Sequence, residues 1–161
     1  LVTGVWLGAL TASWVSATAS FRGVDRVLGP GLSPELDRRL SSLDQTERRA
    51  TLRHLAAEIN RWMFRRLGLA QIVLGLLGLW AAWPGPGARW LLAAALLVAT
   101  VQLALGGAIE TLGRSLDFLP RPLPAELRSR FGLLHAAFLL LDAGKAGLLA
   151  GAAYALARRP F

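Results

Sequence analysis

Three stretches of this chain carry no charged side chain at all: 1–21, 67–88 and 90–109. No other feature constrains the fold as strongly. A bilayer core about 30 Å thick is crossed by about 20 apolar residues in a helix, and backbone polar groups in lipid must be satisfied within the spanning segment itself. Each run therefore reads as a transmembrane helix. Hydrophobic residues make up 54% of 161 positions and the mean hydropathy is +0.46, more apolar surface than the interior of a soluble domain this size can hide.

The first helix is expected over about 1–20. Gly4, Gly8, Ala12, Ser16 and Ser20 recur every fourth residue, a small-residue stripe of the kind that lets backbones approach closely in lipid. Ala17-Thr18-Ala19 has the small-x-small form of a signal-peptide cleavage site, but cleavage there would leave an arginine-crowded segment to be exported, so a true span is the better reading.

The segment 22–61 is polar. Gly29-Pro30-Gly31 breaks the chain, and Ser33-Pro34-Glu35 reads as an N-cap, a proline at the first helical position and an acid in the first turn. A second helix starts near Asp44, with Leu52, Leu55, Ala56, Ile59 and Met63 at helical spacing and arginines on the other faces. An amphipathic helix lying on the membrane surface or projecting from it is expected, running without a breaker into a second span over about 62–83. Pro84-Gly85-Pro86-Gly87 is expected as a tight turn, followed by a third span over about 90–111. Trp80, Trp83 and Trp90 cluster at that turn and Trp62 lies at the opposite end, where aromatic belts sit. Pro120, Pro122 and Pro124 separate a final helix, whose span is about 131–157.

Arginine placement orients the whole. Seventeen of the eighteen basic residues are Arg. Ten fall at 22–66 and four at 114–130, against Arg89, Arg158 and Arg159 on the other side, with Lys145 inside the last span. Four spans put both rich segments on one face, and removing either of the two spans between them would separate them. The positive-inside rule then makes those loops cytoplasmic and turns both termini outward, in the cell (inner) membrane. The expectation is an all-α, multi-pass protein: four transmembrane helices in an antiparallel bundle with a cytoplasmic amphipathic helical segment between helices 1 and 2, one domain over 1–161. The net charge of +8 is read as contact with anionic lipid rather than nucleic acid.

Asp142 and Lys145 are the candidates for chemistry. Charged groups at membrane depth are costly and face bundle interiors, and the i, i+3 spacing allows them to pair. Either they form a structural ion pair or they form an ion, proton or substrate site. His135, seven residues before Asp142, is expected to bond to a neighbouring helix, with a His–Asp proton path as the sharper alternative. Glu110 and Arg114 fit an i, i+4 pair, and Asp117 and Arg121 repeat the spacing. Gln71 and Gln102 are expected to bond across helices. Gly147 and Gly151 form a GxxxG pair, joining Gly4 and Gly8 as expected helix-packing positions. The absence of cysteine excludes thiolate metal sites and Cys nucleophiles. No phosphate loop, metalloprotease or serine-hydrolase motif occurs. Haem ligation would need His54 and His135 to converge from different segments. No cofactor, metal or enzymatic activity is expected.

Three places carry a family resemblance: Val5-Trp6-Leu7-Gly8-Ala9-Leu10, Ile59-Asn60-Arg61-Trp62-Met63-Phe64-Arg65-Arg66, and Phe131-Gly132-Leu133-Leu134-His135 with Asp142 seven positions on. They resemble, respectively, the Trp-Leu-Gly-Gly opening helix, the Phe-Arg-rich approach to the second helix and the final Phe-x-x-x-His helix of a four-span membrane family that includes transmembrane protein 205 and a bacterial domain of unknown function numbered 4149. Ala9 stands where the family has a second Gly, and Asp142 where an Asn is usual. The resemblance implies the four-helix architecture and carries over no catalytic residue. Two roles are open: a transport-related or membrane-homeostasis protein, or a structural accessory subunit of a larger membrane complex, with the lipid bilayer and other membrane subunits as partners.

Overall fold

The computed structural model describes residues 1–29, 34–83, 86–120 and 122–158. It is all-α, with five helices: α1 Val2–Val27, α2 Pro34–Leu40, α3 Gln45–Ala81, α4 Pro86–Leu116 and α5 Ala125–Ala157. The four long helices pack in a ring, α1 and α4 each contacting both α3 and α5.

Local chemistry sets where the helices begin and end. Asp44 caps α3: its carboxylate accepts from the Glu47 N–H at 2.8 Å, and the Asp44 N–H donates to the Glu47 carboxylate at 3.1 Å, a complete capping box. No proline follows until position 84, so α3 runs unbroken for 37 residues. At about 1.5 Å per residue that is about 55 Å, well beyond the thickness of a bilayer. The amphipathic segment is thus the beginning of the second expected span's own helix. Its apolar stripe is only partly used: Ala56 is buried, while Leu55 and Ile59 are 56% and 53% exposed.

Other boundaries differ from expectation. α1 continues through Arg22, Asp25 and Arg26 to Val27, because nothing in that stretch breaks a helix before Gly29. Pro86 and Gly87, expected in the turn, already form the start of α4, a position where proline's missing N–H costs nothing. Residues 84–85 of that turn lie outside the described residues, as do Pro30, Gly31 and the expected N-cap Ser33. α4 passes the expected end near 111 and stops at Leu116, shortly before Pro120.

α3, α4 and α5 are long and apolar enough to cross a membrane. α1 is not among them: Thr3, Thr11, Ser13, Ser16, Thr18 and Ser20 dilute its hydrophobicity. Four of these hydroxyls return to the helix's own carbonyls, Thr11 to Leu7, Ser13 to Leu10, Thr18 to Trp14 and Ser20 to Ser16.

The apolar core joins Trp6 and Leu10 of α1 to Leu92, Ala95 and Ala99 of α4 and Leu149 and Ala152 of α5. Small residues make the close approaches, but not the ones the sequence stripe indicated. A Cβ on Gly4, Gly8 or Gly147 would meet no atom within 4 Å. The face of α1 turned inward is instead Thr3, Trp6, Leu10 and Ser13, because the volume of Trp6 and Leu10 belongs in the core and the glycine stripe lies on another side of the helix. Of the two expected pairs, Gly4–Gly8 and Gly147–Gly151, only Gly151 is closely approached: a Cβ there would lie 3.4 Å from Leu91 Cδ1. The tightest contact is at Gly75, where a Cβ would lie 2.7 Å from Leu96 Cδ1 and 3.1 Å from Trp6 Cη2.

Candidate functional site: a charged cluster inside the helix ring

Midway along α5, Asp142 and Lys145 turn into the ring and are 3% and 1% exposed. Lys145 Nζ lies 2.9 Å from Asp142 Oδ1, the pairing expected from i, i+3 spacing. Two further helices complete the cluster. Gln102 of α4 donates through Nε2 to Asp142 Oδ1 at 2.8 Å and to the Phe138 carbonyl at 3.1 Å, while its Oε1 accepts from Lys145 Nζ. Trp14 of α1 donates Nε1–H to Asp142 Oδ2 at 2.8 Å. The formal charges cancel. Both carboxylate oxygens and both polar atoms of the Gln102 amide are engaged, as a buried polar network requires if it is to be tolerated.

Trp14 is the participant that sequence reasoning missed. No short-range spacing links it to Asp142, 128 positions away. Gln102 was foreseen as a cross-helix bond but not as the bridge between the two charges. Gln71, also foreseen, accepts from Trp6 Nε1 at 3.1 Å, which ties α1 to α3 one layer away.

His135 does not join. It is exposed and stacks on Phe131 at 6.0 Å, and no hydrogen bond from it is formed among the described residues. The interior at its level belongs to aromatic rings: Phe138 meets Phe64 edge-on at 6.2 Å, and Phe131 packs at Gly113. The expected bond to a neighbouring helix and the His–Asp path are therefore absent.

A second polar network ties α3 to the far end of α4, where arginines abound. Glu110 pairs with Arg114 at 3.0 Å as expected, and Glu58 of α3 joins Arg114 at 3.1 Å. The expected pairing of Asp117 with Arg121 lies outside the described residues. α4 has ended by then, and Asp117 is free to turn to α3. Arg61 grips it with a two-pronged contact at 2.8 and 2.9 Å and also reaches Glu58 at 2.6 Å. His54 Nδ1 lies 2.8 Å from Asp117 Oδ2, and a carboxylate there requires that nitrogen to carry the proton. Burial acts to raise the Asp117 pKa, but the hydrogen bonds from Arg61 and His54 outweigh it and hold the carboxyl below its ordinary range. The hydrogen bond to Asp117 in turn raises Arg61, against the opposing effect of its own burial. His54, Glu58 and Asp117 present ligand atoms within 4.8 Å of one another, a metal-like spacing. The Arg61 guanidinium already supplies the positive charge to both carboxylates, so the cluster is complete as an ion-pair network.

Two grooves open on the surface. One is lined by Leu79, Trp80, Trp83, Arg89, Trp90 and Ala93, the other by Glu126, Ser129, Arg130, Leu133 and Leu134. Neither reaches Asp142 or Lys145. Comparisons with protein-family models, curated proteins and solved structures yield no match to this chain.

Proposed function

We propose that this chain is a four-span integral membrane protein of the inner membrane that serves as a structural or accessory subunit, with the Trp14–Asp142–Gln102–Lys145 cluster as the lock that fixes its helices in register. One observation carries the reading: the charged cluster is satisfied from within, each charge facing its opposite and three helices contributing partners. Buried polar groups of this kind are best attested as devices that specify register.

The fourth span is α1. Four of its six hydroxyls are bonded to its own backbone, which lowers their cost in lipid, and Trp6 and Trp14 bond it to α3 and α5. An antiparallel bundle with the arginine-rich connections in the cytoplasm follows from the charge distribution. The resemblance to the transmembrane protein 205 family supports the same architecture, and we propose membership on that basis. A subunit role also gives a use to Gly4, Gly8 and Gly147, where an added Cβ would meet no atom within 4 Å among the described residues, which suits close approach by another helix.

Extraction in a mild detergent tests the role: co-purification of other membrane chains at fixed stoichiometry supports it, and a clean monomer that retains its cellular effect overturns it. The chain has no cysteine, so Ala12→Cys introduces a unique cross-linking site on the stripe.

The alternative, transport-related reading draws on a specific feature. Trp14 is 40% exposed and bonds Asp142 Oδ2, so a partly exposed side chain touches the buried carboxylate. If a D142N/K145M variant folds but abolishes a measured proton or ion flux in vesicles, the cluster is a transport site and the lock reading is insufficient.

A further inference from the structure

The groove where α3 meets α4 combines three features. Its walls are indoles: Trp80, Trp83 and Trp90 are 80%, 72% and 70% exposed. Its floor is apolar, formed by Leu79 and Ala93. Its single charge is Arg89, whose guanidinium lies 5.2 Å from the centre of the Trp83 ring, within cation–π range.

Arg89 also has no counter-ion among the described residues. Six arginines of the protein, Arg38, Arg39, Arg48, Arg49, Arg61 and Arg114, have a carboxylate within 4 Å; Arg89 is among those that do not, and it alone of the arginines lines this groove. Among the described residues no carboxylate pairs with Arg89, and no Asp or Glu occurs anywhere between Glu58 and Glu110. A guanidinium fixed on a tryptophan face beside a hydrocarbon-lined groove meets an environment with one abundant anion, the lipid phosphate. Tryptophan prefers the same depth, with its ring in the apolar layer and its N–H toward the headgroups.

We infer that this groove is a binding site for an anionic phospholipid, with the headgroup phosphate on Arg89 and an acyl chain over Leu79 and Ala93 between the indoles. A zwitterionic lipid brings its own cation and leaves the arginine's charge uncompensated, so the site favours a net-negative headgroup. This rests on the membrane reading proposed above, but it can fail independently of it.

The test uses the full chain reconstituted in phosphatidylcholine vesicles, in a Trp62→Phe background that removes the indole at the other end. Quenching of tryptophan fluorescence is compared for nitroxide-labelled phosphatidylglycerol and identically labelled phosphatidylcholine. The expected preference for phosphatidylglycerol is about five-fold, the factor for one basic group at a membrane surface. It should vanish in R89Q and persist in R89K, which keeps the charge and controls for folding. Equal preference in the parent and R89Q overturns the inference, as does loss of preference on adding millimolar inorganic phosphate, which would make this a free-anion site. Quenching by neither lipid would instead show that the chain is not inserted and would overturn the membrane reading itself.

Discussion

Trp14 and Asp142 meet across the interface between α1 and α5, the indole N–H donating to Oδ2 at 2.8 Å. This is the one side-chain hydrogen bond that anchors α1 to the charged cluster. Trp14→Phe preserves an aromatic ring but removes the donor. Hydrogen bonds to charged groups contribute about 1.5–3 kcal/mol, so unfolding in an SDS titration should move to lower detergent fraction by that amount. An unchanged midpoint would mean that the bond to Asp142 adds nothing to how α1 is held.

The Asp142–Lys145 pair gives a sharper, non-additive expectation. Removing one member leaves a buried charge without a counter-ion, which costs about 3–5 kcal/mol, whereas replacing both with apolar residues of similar volume is often neutral. Asp142→Leu and Lys145→Met should each be severely destabilising, and the double variant should recover most of the loss. The same SDS titration measures it as a coupling energy between the two sites. Additive losses would contradict the lock reading.

How much of this was legible beforehand depends on range. The i, i+3 pair, the helix start near Asp44, the i, i+4 contact of Glu110 with Arg114 and the unbroken passage from amphipathic segment to span were all readable, because each is encoded by residues within a turn or two of one another. Trp14 joining Asp142, and Arg61 joining Asp117 over 56 positions, were not, since helix periodicity says which face a residue takes but not which helix that face meets. The Gly4–Gly8 stripe misled for the same reason. Small residues at regular spacing mark a face on which backbones can approach, yet within this chain the bulky Trp6–Leu10 face of α1 took the interior.

Acid should loosen the clasp between α3 and the end of α4. Asp117 is held below its ordinary pKa by Arg61 and His54 against the effect of burial, so it binds a proton less readily folded than unfolded. Its contribution is complete above the unfolded value of about 3.9 and is lost as pH falls through the lower, folded value. At neutral pH Asp117→Asn should cost about 1.5–3 kcal/mol. The difference between wild type and variant should shrink steadily once the pH drops below about 4. Measuring both proteins by thermal unfolding over a pH series separates this carboxyl from the rest, because only its own contribution differs between them.

Two glycines with the same intrinsic propensity should respond in opposite directions to the same methyl group. At Gly75 a Cβ would lie 2.7 Å from Leu96 Cδ1 and 3.2 Å from Leu96 Cβ, and 3.1 Å from Trp6, which is fully buried in the core. Trp6 cannot retreat without stretching its 3.1 Å bond to Gln71. Gly75→Ala should therefore destabilise by about 1–3 kcal/mol, as overpacking does, despite alanine's advantage in helices. At Gly8 nothing lies within 4 Å, so Gly8→Ala should be neutral or stabilising by up to about 1 kcal/mol in the isolated chain. The two variants also report on the subunit role, because Gly8→Leu should leave the purified chain's own stability intact while weakening its recovery with other membrane chains. If Gly8→Leu unfolds the isolated protein as badly as Gly75→Ala, the stripe is part of this chain's own core; if it alters neither stability nor recovery, no partner sits there.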